Sequence, residues 1–203
     1  FVLVSCGGSG DTDIASPGEL GQLSAPSGTD NFAATASNLL TGTCPTSPFI
    51  ADAATLGGNT LCAISGPITS NLTLTNDVMY TLSGRVDVGK DMGGDGTKAE
   101  GVSATLTIPA GVTLAQKTTD DHIIVQRGSK IIANGTRSKP IRFTAASAVD
   151  GSLTNPETAT SLWGGVVILG KAPINKCAAA DIGSAACERV VEGSTTAIMG
   201  GAS

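Results

Sequence analysis

Aromatic rings are scarce in this chain. Four Phe, one Trp and one Tyr make up 3% of its residues. A sugar-binding face built on stacked aromatics has almost nothing to stack with, and a packed core must be aliphatic. Charge is sparse too: Asp, Glu, Lys and Arg are 14% of the chain, with a net charge of -5. A nucleic-acid partner needs a basic face for its phosphates, so that class is excluded. His122 is the only histidine, and there is no CxxC pair, so a zinc centre is poorly supplied. No apolar run is long enough to span a membrane as a helix. GxSxG, Walker, HExxH and Rossmann signatures are all missing. With 27 Gly among 203 residues, long helices are disfavoured.

What the chain does have is short β-branched runs separated by sharp corners. The stretch Asp121 to Ala145 holds three of them: Ile123-Ile124-Val125, Lys130-Ile131-Ile132-Ala133 and Ile141-Arg142-Phe143-Thr144. Arg127-Gly128-Ser129, Asn134-Gly135-Thr136 and Pro140 mark the corners. Three short strands and three corners in about 20 residues match one coil of a parallel β-helix. The pattern recurs. Leu74 to Leu82 aligns with Leu106 to Leu114, and a further alignment puts Gly128 on Gly111 and Ile131 on Leu114. Trp163 to Gly170 reads as a strand of a later coil. Unequal spacing is expected, because loops between stacked strands absorb insertions. The expected fold is therefore all-β: a right-handed parallel β-helix, with an irregular tether or cap over 1–42 and a disulfide-stapled helix over 43–203. Leu74, Leu82, Leu106, Leu114, Ile124, Ile131 and Ile168 are expected to face inward. Asp30 to Leu40 could form a short capping helix.

The runs Gly135 to Ala145 (GTRSKPIRFTA) and Leu162 to Asn175 (LWGGVVILGKAPIN) resemble a family of bacterial surface lipoproteins similar to right-handed parallel β-helices. LTIPAGVTL, IIVQRGSKIIA and VEGSTTAIMGG also fit, so the resemblance covers roughly Leu61 to Gly201. It implies a fold and a surface location. It brings no established activity, and so no catalytic residues. It also implies a longer protein of which this is the front part. Arg189 to Gly193 and Ala197 to Gly201 read as further strand whose open edge would need more coils or another chain against it.

Leu3-Val4-Ser5-Cys6 followed by two glycines has the form of a bacterial lipobox, with Cys6 taking the lipid and a polar tether following. Processing there would remove Phe1 to Ser5. Four cysteines then remain, which allow three pairings. The local pairs Cys44–Cys62 and Cys177–Cys187 close short loops and are expected. Disulfides suit an oxidising compartment, which places the chain in the cell envelope, at the outer membrane or cell surface.

Two clusters could carry chemistry. Asp87, Asp91, Asp95 and Glu100 alternate with glycines, as a calcium-binding loop would, although the spacing is not an EF-hand. The plainer reading is a solvated loop between coils. Asp120, Asp121 and His122 form the other cluster. A β-helix polysaccharide lyase would want such carboxylates for calcium and Arg or Lys as base; Arg127, Lys130 and Arg142 are on offer, but on different strands or corners. The plainer reading here is a polar turn entering a strand. The expected function is a lipid-anchored structural or adhesive module of the cell surface, with other chains at its open β-helix end. The alternatives are a carbohydrate-active enzyme and an accessory subunit of an envelope complex.

Overall fold

The β-branched runs between Leu72 and Ile168 become strands, and the loops between them vary freely in length. The computed structural model describes residues 39–202. The chain enters through a hairpin, β1 (Ile50–Leu56) and β2 (Asn59–Ile64), paired antiparallel. Its two-residue turn is Gly57-Gly58, with φ of +55° and +82°. A tight hairpin turn needs positive φ at both positions, which glycine adopts without steric cost.

Three sets of three strands follow. They are β3 (Leu72–Thr73), β4 (Met79–Leu82) and β5 (Arg85–Val88); β6 (Thr105–Pro109), β7 (Thr113–Gln116) and β8 (His122–Val125); then β9 (Lys130–Asn134), β10 (Arg142–Ala145) and β11 (Gly165–Ile168). A single helical turn, α1 (Ala146–Val149), follows β10. Each strand pairs in parallel with the strand three places on. The sheets are ordered β3-β6-β9, β1-β2-β4-β7-β10 and β5-β8-β11. Such pairing is the topology of a parallel β-helix. A second antiparallel hairpin, β12 (Glu188–Val190) and β13 (Ile198–Gly200), closes the described region.

Strand alternation sends every second side chain inward, and parallel register stacks these into columns. Leu72, Leu106 and Ile131 form one. Cys62, Tyr80, Leu114 and Phe143 form another. Val86, Ile123 and Val166 stack on the third sheet, with Val88, Val125 and Ile168 beside them. The central members are fully buried in one cluster. Each contributes about 1.5–3 kcal/mol of hydrophobic stabilisation. Thr75 N–H donates to the buried Tyr80 hydroxyl at 2.9 Å, which satisfies the one polar atom of that column.

The structure corrects several expectations. Leu106 stacks on Leu72, not Leu74, and Leu114 on Tyr80, not Leu82. Ile131 stacks on Leu106, not Leu114. The Leu74-to-Leu106 match is wrong by two residues, a shift that keeps every side chain on the same face, so alternation alone cannot detect it. Ile124 is buried but faces outward, under Leu169 and Ala197; its neighbours Ile123 and Val125 point into the core. Ile168 is in the inward column of Val125 yet is 66% exposed. It is the last rung of its column among the described residues. Arg189 to Gly193 contributes to an antiparallel hairpin instead of another parallel rung. The expected helix at Asp30 to Leu40 lies almost wholly outside the described residues.

Candidate functional site

The outer face of β5-β8-β11 gathers most of the charged groups that hold one another. Alternation turns Arg85 and Asp87 of β5 outward, and Gln126 and Arg127 follow directly after β8. Arg85 donates to Asp87 Oδ1 from Nε at 3.1 Å and Nη2 at 2.8 Å. Its Nη1 reaches Thr196 Oγ1 at 2.7 Å. Gln126 Nε2 donates to the same Asp87 oxygen at 2.8 Å.

Arg127 is the centre of this face. Its side chain is 1% exposed. Nε and Nη2 grip the two oxygens of Asp91 at 2.6 and 2.7 Å, a planar fork on a planar carboxylate. Nη1 donates to Glu188 Oε1 and to the Gly200 carbonyl, each at 2.7 Å. Lys98 Nζ is 3.5 Å from Asp91 Oδ2. Burial works to raise the Asp91 carboxyl, but the Arg127 hydrogen bonds and charge, helped by the Gly93 N–H and Lys98, hold it below its ordinary range. Hydrogen bonding to Asp91, against burial and with Glu188, raises the Arg127 guanidinium in turn. Both groups are fixed in their charged forms.

This network ties three distant segments together: the loop after β5, the end of β8, and the β12–β13 hairpin. The backbone closes the same contact. Ala202 N–H donates to Gly94 O at 3.1 Å, and a Cβ on Gly94 would strike the Ala185 carbonyl. Cys177 bonds to Cys187 inside the excursion, and Cys44 to Cys62 beside the first hairpin, both as expected. Cys6 lies outside the described residues.

The four carboxylates of the calcium reading have separate surroundings. Asp87 is occupied by Arg85 and Gln126, and Asp91 by Arg127 and Lys98. Asp95 accepts from Thr97 N–H at 2.8 Å, a local turn whose N–H lowers its carboxyl. Glu100 is exposed. Among the described residues no three His, Cys, Asp or Glu side chains gather as metal ligands. Arginine and lysine set positive charge beside Asp87 and Asp91.

Asp120 and Asp121 lie in the turn that leads into β8, and His122 opens that strand. Asp121 is 6% exposed. Its Oδ1 accepts from Gly84 N–H at 3.1 Å, and its Oδ2 from Lys117 and Thr118 N–H at 2.9 and 3.0 Å. Asp120 is exposed, and its carbonyl meets His122 Nδ1 at 2.8 Å. The possible bases stay apart: Arg127 follows β8, Lys130 opens β9 and Arg142 opens β10, on three different sheets. Lys139 and Arg142 line an open cleft of about 540 Å³ with Asn76 and Ser138, and among the described residues no carboxylate lines it with them. Gln126 and Glu188 escaped sequence reading because their partners are far away in the chain; Arg85 was missed although Asp87, two residues on and on the same strand face, is a direct signal for it.

A family model described as a pectate-lyase-like β-helix domain matches residues 66–196. The chain belongs to this family. The match begins just after β2 and takes in β3 to β12, with all nine strands of the three coils. No curated protein and no solved structure matches the chain. Membership in the pectate-lyase-like β-helix family fits an all-β chain with parallel coils and leaves its activity open.

Proposed function

We propose that this chain is a structural or interaction module of the bacterial cell surface, anchored by a lipid on Cys6 and joined to other protein chains in an envelope assembly. One observation carries this reading. Arg127, one of the three candidate bases, is buried and closed off by Asp91, Glu188 and the Gly200 carbonyl. A general base must come within hydrogen-bond reach of the proton it removes. Held this way, Arg127 braces the fold and does no chemistry. The two disulfides support an oxidising compartment.

The contact surface for other chains is the last rung. β9, β10 and β11 have no partner on their far side among the described residues. Ile131, Phe143 and Val166 are only partly buried there, and Ile168 is exposed. An added strand from another chain would continue the ladder and cover these side chains. The competing reading, a polysaccharide lyase or hydrolase, is favoured by the family match alone. Incubation with acidic polysaccharides, with calcium and with a chelator, separates the two. No chain cleavage is expected under either condition. Cleavage that is lost in Asp120→Ala would make this chain an enzyme. Labelled fatty acid should enter the protein in cells and fail to enter Cys6→Ser; label retained by that variant would remove the anchor.

A further inference from the structure

Asn134 ends β9 and Gly135 follows it, and both are exposed. Lys130 N–H donates to Ala104 O at the start of the strand. Alternate N–H groups of a strand share a direction, so those of Ile132 and Asn134 also turn to β6, and that of Gly135 turns away. The turn beyond closes on itself: Thr136 N–H donates to Lys139 O at 3.1 Å, and Lys139 N–H to Thr136 Oγ1 at 2.9 Å. Gly135 is left out of it. Among the described residues neither the Gly135 N–H nor the Asn134 carboxamide has a hydrogen-bond partner.

Other exposed asparagines are held or blocked. Asn71 Oδ1 accepts from Thr105 N–H at 2.9 Å, and the buried Leu72 follows it. Asn76 Nδ2 donates to Ala110 O at 3.1 Å. Asn155 precedes Pro156, which has no N–H. Asn175 precedes Lys176, whose Cβ crowds the backbone nitrogen. Asn134 alone of these combines a free carboxamide with a following glycine.

We infer that Asn134 is a self-modifying site, converted by its neighbour's backbone nitrogen and water to aspartate and isoaspartate. Gly135 N gives its proton to hydroxide and attacks Asn134 Cγ. The new N–C bond closes a five-membered imide. The Cγ–Nδ2 bond breaks, and Nδ2 takes a proton from water and leaves as ammonia. A second water then opens the imide. Opening at Cγ gives aspartate; opening at the Asn134 backbone carbonyl carbon sends the main chain through Cγ and gives isoaspartate. The sum is one water taken up and one ammonia released, with nothing oxidised or reduced. Ring closure is favoured because nucleophile and carbonyl are held in one dipeptide, and glycine has no Cβ to hold the nitrogen away. The product sets a carboxylate on the bare sheet, in the outward row of Lys130 and Ile132. In its isoaspartyl form it also lengthens the main chain at the end of β9. The reaction needs neither the lipid anchor nor another chain, so its test is separate from that reading.

The test is incubation of the folded chain in warm, mildly alkaline buffer made with oxygen-18 water, followed by peptide mapping with mass spectrometry that separates the two isomers. Asn134 should convert, gain one heavy oxygen and give isoaspartate in excess over aspartate. Asn71, Asn76, Asn155 and Asn175 should stay amides over the same time. Gly135→Ala should slow the conversion about tenfold or more. A Cβ there would come to 3.0 Å from the Ile141 nitrogen, so Asn134→Gln serves beside it: it leaves the turn alone and should give no product. The denatured wild type should convert within about tenfold of the folded rate, because the fold leaves this corner free. Retention of Asn134 in the folded chain while the denatured chain converts would overturn the assignment. So would aspartate without isoaspartate, or an unchanged rate in Gly135→Ala.

Discussion

The sheet β5-β8-β11 turns Arg85, Asp87 and Ile124 outward, and the residues after β11 fold back over it: Leu169, Ala197 and Val191 cover Ile124, while Ser194, Thr196 and Glu188 meet the arginines. The sheet β3-β6-β9 turns Thr73, Thr105, Thr107 and Ile132 outward, and these stay partly or fully exposed. Inward columns of the two sheets are alike, aliphatic and buried. The outward residues decide the difference. Threonine tolerates water and asks for no partner. A forked arginine beside an outward isoleucine is stable only under a cover that supplies carboxylates and apolar atoms. The long excursions of this chain are therefore part of the structure of one sheet, and the other sheet does without them.

The largest effect should come from breaking the cover at its centre. Arg127→Met leaves Asp91 and Glu188 facing each other without their shared cation. It should cost about 3–5 kcal/mol, or on the order of 10 °C in Tm, read by thermal and denaturant unfolding. A loss under about 1 kcal/mol would mean the network is ornamental.

A smaller effect is expected in acid. The folded Asp91 carboxyl lies below its ordinary value of 3.8. As pH falls the unfolded chain takes up the proton first. The pair's contribution is complete above the ordinary value and is lost as pH drops through the folded one. Denaturant midpoints measured from about pH 5 down to pH 2 should fall more steeply in the wild type than in Asp91→Asn. Parallel curves would assign the acid sensitivity to other carboxylates.

The smallest effect belongs to the bare sheet. Thr107→Val should change stability by about 0.5 kcal/mol or less, because its outward side chain has no cover to fit. A large loss would show that the two faces are more alike than their exposure indicates.

Much of this was legible in the sequence, and the failures have physical causes. Strands β8, β9 and β10 could be read from three β-branched runs and their Gly, Asn and Pro corners. Cys44–Cys62 and Cys177–Cys187 could be read because local pairs need no long-range geometry. The register of Leu72 on Leu106 could not, since a side-chain period of two looks the same after a two-residue slip. The first hairpin was missed, although the Gly57-Gly58 pair between two Thr- and Leu-bearing segments is a direct turn signal. The charged residues were the hardest to read. The partners of Asp91 could not be seen, because Arg127 is 36 residues from Asp91 and Glu188 is 61 from Arg127; Asp87 has Arg85 only two residues away. Nothing in the local sequence tells a carboxylate that will meet calcium from one that will meet arginine.

Native-state hydrogen exchange on the wild type and on Arg127→Met tests most directly whether Arg127 is a brace for one sheet. The account predicts faster exchange in 89–104 and 170–202, with Leu72, Leu106 and Ile108 on the bare sheet as protected as before. Uniform loss of protection across both sheets, or no change at 170–202, would contradict it.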